Sequence, residues 1–310
     1  MLVLSKVIKQ YIENCKYMKG LNDKSIKAYS IDLNQFEKWC TGNTAWDTKQ
    51  NLEDYIKHLY KNFKPRSAKR KIASIKAFFN YLETEEIIQI NPFHKIKYKR
   101  RESLILPRSI PINTLSNLLN SAYKNLENNT HNNYQSKNAI RDIAVMELLF
   151  ASGVRVSELC SLQKEDVDIK NKIIKVSGKG SKERYIQITN KSVLSILKDY
   201  QKLFSSEINT CGFYFINNRG RRLTDQSVRH LVDKYAKRCN AEIHITPHMF
   251  RHTIATLLLE EDVDIRYIQE LLGHSSITTT QIYTHVSLSA QKKVLTQKHP
   301  RNKIKIEQTK

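Results

Sequence analysis

The chain reads as a mainly α protein of two domains with one small β-hairpin or sheet, and three observations carry that reading. Apolar residues at helical spacing fill the first hundred positions. A basic, proline-containing stretch without periodicity, NPFHKIKYKRRESLILPRSIP, then breaks the pattern around 95–110. Beyond it one pair of β-rich runs, KIIKVSGKGSKERYIQI, stands among further helical segments. At 310 residues both halves can bury a core of their own. The expected division is a helical domain over 1–96, a linker over 97–107 and a second domain over 108–310.

The first helix is expected over residues 3–18, where Val3, Val7, Ile8, Tyr11, Ile12, Cys15 and Met18 share one face. Gly20 and Asn22 end it, and a second helix carries Tyr29, Leu33, Phe36 and Trp39. A third runs near 51–62. The fourth opens at Pro65, a residue suited to a first turn because the N–H it lacks has no partner there. It buries Ile72, Ile75, Phe78, Phe79 and Leu82 and leaves Arg66, Lys69, Arg70 and Lys76 for its other positions. In the second half the Asn-rich run ENNTHNNYQSKN reads as a low-complexity loop. IRDIAVMELLFASG reads as a buried helix stopped by Gly153, and VRVSELCSL as a short helix. The hairpin follows. After it come helices near 225–238, around PHMFRHTIATLLLEE and over DIRYIQELLGH.

Charge narrows the partner. Lys and Arg number 52 against 30 Asp and Glu, a formal net charge of +22, which suits a polyanion and nucleic acid first. Up to position 100 there are 20 basic and 10 acidic residues, and 32 and 20 beyond it, so both halves are basic. Two domains that both touch the polymer fit this better than a basic tail on a neutral enzyme. The five cysteines are scattered, with no CxxC, and read as reduced thiols. No run approaches 18 apolar residues and the N-terminus is no signal peptide, so a cytoplasmic location is expected.

Several residues in the second half carry chemistry only as a set. Singly, Arg155 is a surface ion-pair partner for Glu158, Lys179 a solvated turn lysine, His248 and His274 helix-end residues, and Tyr283 a half-buried aromatic. His248 and His252 are four apart, as in a zinc site, but HEXXH needs a glutamate where Met249 stands. No acidic cluster suggests a two-metal nuclease and no GxxxxGK[ST] a nucleotide-driven motor, so neither metal nor cofactor is expected. Arg155 and Arg251 together could hold the non-bridging oxygens of a phosphodiester bidentately without a metal. Histidines can accept a phenol's proton, and a hairpin lysine can protonate a leaving oxygen.

In order and spacing, Arg155 in ASGVRVSEL, Lys179 in SGKGSKER, His248 and Arg251 in TPHMFRHTIAT, and His274 and Tyr283 in LLGHSSITTTQIYTHV resemble the tyrosine recombinase, or phage integrase, family. The pattern is closest to the Xer type, and the likeness runs from LNDKSIKAYSIDLNQFEKWC to the tail KHPR. The resemblance implies a two-domain DNA clamp, a core-binding domain followed by a catalytic domain. It implies a site-specific recombinase that forms a 3′-phosphotyrosine without metal or ATP, with Tyr283 the nucleophile. Arg155 and Arg251 would clamp the phosphate, His274 would add a donor, His248 would take the tyrosine proton and Lys179 would be the general acid. Arg66, Lys69, Arg70 and Lys76 would face DNA. Duplex DNA with paired half-sites is the implied partner, bound by a homo-tetramer or by a hetero-tetramer with a sister recombinase. A type IB topoisomerase-like enzyme and a non-catalytic DNA-binding regulator are the alternatives. The stretch 120–139 departs from the compact pattern and reads as an inserted, disordered surface loop. The segment after Tyr283 resembles one that docks on a neighbouring subunit; the plainer reading is a frayed basic tail.

Overall fold

A computed structural model describes residues 4–41, 45–98, 109–128, 133–178, 183–261, 263–273 and 295–304. The protein divides into two compact units, Met1–Ile105 and Leu106–Lys310.

The first unit holds α1 (Leu4–Tyr17), α2 (Asp23–Trp39), α3 (Lys49–Asn62) and α4 (Pro65–Thr84), then a 3-10 turn at Pro92–Lys95. Asn22 and Thr48 cap α2 and α3 through side-chain oxygens, and Pro65 opens α4 as its sequence position predicts. Aromatic rings fill the centre: Phe36 meets Tyr55 and Phe79 edge-on, and Phe78 meets Tyr11. One acid is buried among them. Asp32 is 1% exposed and pairs with Arg70, with Lys71 Nζ at 3.1 Å and with Ser74 Oγ at 2.8 Å. Two cations and a hydroxyl offset the desolvation of that carboxylate and pin α2 to α4.

The second unit begins with α5 (Ile112–Glu127) and α6 (Asn133–Ser152). The Asn-rich stretch is therefore corrected from loop to helix on both sides of residues 129–132, which lie outside the described residues. Leu115, Leu118, Leu119 and Ala122 are all buried, and their helical spacing outweighs the poor propensity of the asparagines between them. From Ile143 to Ala151 every residue of α6 is buried, so this helix is the axis of the core. The short α7 (Val156–Ser161) follows, then the antiparallel sheet β1 (Val167–Asp168), β2 (Ile173–Ser177) and β3 (Glu183–Gln187), in that spatial order. Around them come α8 (Lys191–Leu203), α9 (Ser205–Cys211), α10 (Asp225–Arg238), α11 (Pro247–Glu260) and α12 (Ile265–Leu272). Both α8 and α11 pack on α6. Among the described residues no helix is long and apolar enough to cross a membrane, and all five cysteines are free thiols.

Residues 295–304 seat on their own unit, which removes the frayed-tail reading for this segment. His299 is buried between α6 and the tail's own turn: its Nε2 donates to Ala151 O at 2.7 Å and its Nδ1 accepts from Arg301 N at 3.0 Å. Burial pushes the imidazole down to about 4, so it is neutral at physiological pH, as this donor and acceptor pattern requires. Arg301 forks onto the buried Glu147 at 2.6 and 2.7 Å, and Tyr123 Oη donates to the same carboxylate at 3.0 Å. Replacing Arg301 by Ala leaves that buried charge without its cation and with only the Tyr123 hydroxyl among its described partners. The variant is expected to lose about 3–5 kcal/mol, measured as a lower denaturation midpoint; an unchanged midpoint would show the pair to be energetically neutral.

Candidate active site

Three arginines from three elements converge on the last turn of α12. Arg184 Nε donates to Leu271 O at 3.1 Å, Arg251 Nη2 to Leu272 O at 2.6 Å, and Arg155 Nη2 to Gly273 O at 3.2 Å. The last carbonyls of a helix have no partner within it and carry its partial negative charge, so each guanidinium here caps the helix C-terminus.

Local sequence puts each one in reach. Gly153 ends α6 at φ 61°, and a Cβ there would stand 2.6 Å from Leu272 Cδ2 and 3.0 Å from Ile254 Cγ2. Only glycine allows both the left-handed turn and the close approach of α12. The freed carbonyl of Gly153 then accepts Arg251 Nη1 at 2.9 Å. Two residues on, Arg155 stands at the N-cap of α7. Its backbone N–H donates to Glu158 Oε2 at 2.8 Å and its Nη1 to Glu158 Oε1 at 2.7 Å. Arg251 lies one turn into α11, which Pro247 opens, and is 2% exposed. Gly273 closes α12 in the left-handed conformation at φ 64°.

The charges do not balance. Glu158 is the one carboxylate that the three guanidiniums contact among the described residues, and it bonds to both Arg155 and Arg184. Burial raises its proton affinity, but hydrogen bonds from Arg184 and Arg155 and the charge of Arg184 outweigh this and hold it below the usual carboxylate range. Arg251 is pushed down to about 10, first by burial and then by the charge of Arg155. It still carries its proton at neutral pH. A surplus of buried and half-buried cations, preorganised before any ligand arrives, is what an anionic transition state needs.

Of the residues singled out in the sequence, Arg155 and Arg251 meet here. His248 lies in the first turn of α11, exposed, with its ring edge-on to His252 at 4.5 Å between centroids. His252 is pulled below the usual histidine range by burial, then by His248 and Arg251. Lys179, His274 and Tyr283 lie outside the described residues; in sequence Lys179 falls between β2 and β3, and His274 directly follows Gly273. In the first unit Arg66, Lys69 and Lys76 are exposed on α4. Arg70 is drawn onto Asp32, though half of its side chain stays in solvent. Sequence reasoning missed Arg184, and gave Glu158 only a surface ion pair where the structure makes it a buried hub. The alternation in ERYIQI held the signal for Arg184: it shares the inward face with Ile186, a position that otherwise takes an apolar residue.

The sequence profile described as the phage integrase family matches residues 116–289, and that of the phage integrase N-terminal SAM-like domain matches residues 8–86. A tyrosine recombinase of Agathobacter rectalis is 52% identical over 295 residues, covering 95% of this chain and 96% of that protein. Tyrosine recombinase XerC of Thermodesulfovibrio yellowstonii is 36% identical over 309 residues, 96% of this chain and 97% of that one. In fold the protein is similar to a lambda integrase tetramer bound to a Holliday junction, with a TM-score of 0.68 at 17% identity over 90% of this chain and 76% of that one.

Proposed function

The chain belongs to the phage integrase family of tyrosine recombinases, and from that premise we propose that it is a site-specific DNA recombinase in which Arg155 and Arg251 hold the scissile phosphate for attack by Tyr283. The observation that carries the site is the convergence of three guanidiniums on one helix end against a single carboxylate among the described residues. An anion bound there gains two partly unbalanced charges and donors already fixed in direction.

In the reaction the Tyr283 oxygen bonds to phosphorus and the bond from phosphorus to the 5′ oxygen breaks. His248 accepts the phenol proton, Lys179 supplies the proton that leaves on the 5′ hydroxyl, and His274 donates to a phosphate oxygen alongside the arginines. The 3′-phosphotyrosine keeps the energy of the phosphodiester, so rejoining needs no ATP. Duplex DNA is the partner, and Arg66, Lys69 and Lys76 of α4 supply phosphate contacts from the first unit. Arg70, held by Asp32, contributes charge more than reach. Paired half-sites call for a symmetric assembly, a tetramer on synapsed DNA. The segment at 295–304 suits the subunit link: Glu147 and Ala151, which hold it now, offer a neighbour's His299 and Arg301 the same partners.

The test is a nicked suicide duplex carrying the protein's own half-sites. A covalent complex that resists denaturation, forms at full rate in EDTA and appears only on specific sites is the expected result. A strict Mg²⁺ requirement for the covalent step overturns the arginine-clamp reading. Absence of the complex leaves a DNA-binding regulator, and relaxation of plasmids lacking a site indicates a topoisomerase.

A further inference from the structure

We propose that Arg184 is a positioning residue for strand cleavage: it shares Glu158 with Arg155 and fixes the end of α12, so that Arg155 keeps enough free charge and the right direction to bind the phosphate. The proposal rests on the recombinase reading above, and none of the six residues singled out from sequence for the chemistry includes it.

The geometry is that of a strut. In the β2 to β3 register Arg184 lies opposite Val176, and Ile186 opposite Ile174, so Arg184 occupies the core-facing row of the sheet. Its side chain is 13% exposed, against 37% for Arg155. All three of its nitrogens are engaged inside the protein: Nε on Leu271 O at 3.1 Å, Nη1 on Glu158 Oε1 at 3.2 Å and Nη2 on Glu158 Oε2 at 2.7 Å. One planar group thus ties β3, α7 and α12 together at a point where no other cation does so among the described residues. A Cβ on Gly273 would stand 2.9 Å from Arg184 Nη1, so the helix end and the guanidinium are fitted to each other without slack.

Charge sharing gives the second half of the argument. A carboxylate held by two guanidiniums neutralises each less than it would neutralise one alone. Without Arg184, Glu158 would answer to Arg155 only, drawing it inward and damping the charge it presents to a phosphate. The backbone would loosen at the same time, since Leu271 O loses its donor one residue before the Leu272 carbonyl that Arg251 holds and three before His274.

Arg184→Lys keeps a positive charge but offers a single ammonium, which cannot fork onto Glu158 and reach Leu271 O together. In single-turnover cleavage of the suicide duplex at saturating protein, Arg184→Lys and Arg184→Gln are expected to lower the rate constant by about tenfold or more. The final amplitude and half-site affinity should remain near wild type, because misfolding lowers amplitude whereas mispositioning lowers rate. Adding Glu158→Gln to Arg184→Gln should cost little beyond the worse single change. Amide hydrogen exchange at Leu272 and Gly273, which needs no DNA, should be faster in both Arg184 variants. Unchanged rate constants, independent multiplying effects with Glu158→Gln, or loss of the folded state in both Arg184 variants would each overturn the proposal. If wild-type protein forms no covalent complex the recombinase reading falls instead, and the exchange data alone decide whether Arg184 fixes the helix end.

Discussion

Tyr283→Phe is expected to abolish the covalent protein–DNA complex, on the order of 10⁴-fold or more in rate, while half-site affinity stays at the wild-type value. The substitution removes one oxygen and keeps the ring, so the only atom lost is the one proposed to bond to phosphorus. No neighbouring group is expected to replace it by attacking in line. The Ser/Thr string SSITTT at 275–280 offers hydroxyls nearby in sequence, and the experiment must exclude them: residual complex should be digested and its linkage identified. A protein–DNA linkage through any residue in the Tyr283→Phe protein would sink the assignment of the nucleophile. Loss of binding together with cleavage would instead show that Tyr283 acts through structure.

Legibility differed sharply between elements, for physical reasons. Pro65 and Gly153 each mark a helix end that the structure puts where the sequence does, because those residues act through their own backbone and need no distant partner. The Asn-rich stretch failed for the opposite reason. Its composition argued for a loop, yet within it Ala122 is buried and Tyr123 and Leu126 pack against the core at helical spacing, and burial outweighed propensity. The two-residue β1 carries too few residues to show an alternation.

Long-range pairs were harder still. Arg301 finds Glu147 across 154 positions and Arg251 finds Gly153 O across 98, and no local pattern encodes either. Arg155 and Arg251 were legible only through the spacing they share with a family. Arg184 lies five residues beyond Lys179 in sequence, and its signal was structural: a charge on the inward face of an alternating strand must have buried partners.

Arg251→Ala separates catalysis from stability at this site. Two protein contacts are lost, to Gly153 O at 2.9 Å and Leu272 O at 2.6 Å, and each buried carbonyl left without a donor costs about 1–3 kcal/mol. Against this, the variant also removes a cation that the fold holds at a penalty. A base whose folded pKa falls below its usual value, to about 10, is disfavoured when charged, and below about 10 that penalty is present in full. Repulsion from Arg155 and Arg184 disappears with it. The two effects oppose each other, so the denaturation midpoint should fall by less than the two carbonyls alone would dictate. Cleavage has no such compensation. On the proposed clamp the transition state loses a fixed donor, and the single-turnover rate constant should drop by about a hundredfold or more. Arg251→Lys should recover most of the stability, since an ammonium can still cap one carbonyl, but little of the rate, since it cannot fork onto two oxygens. A rate constant near wild type in Arg251→Ala, measured with the protein folded and DNA saturating, would remove Arg251 from the phosphate clamp and leave it as a C-cap for α12 alone.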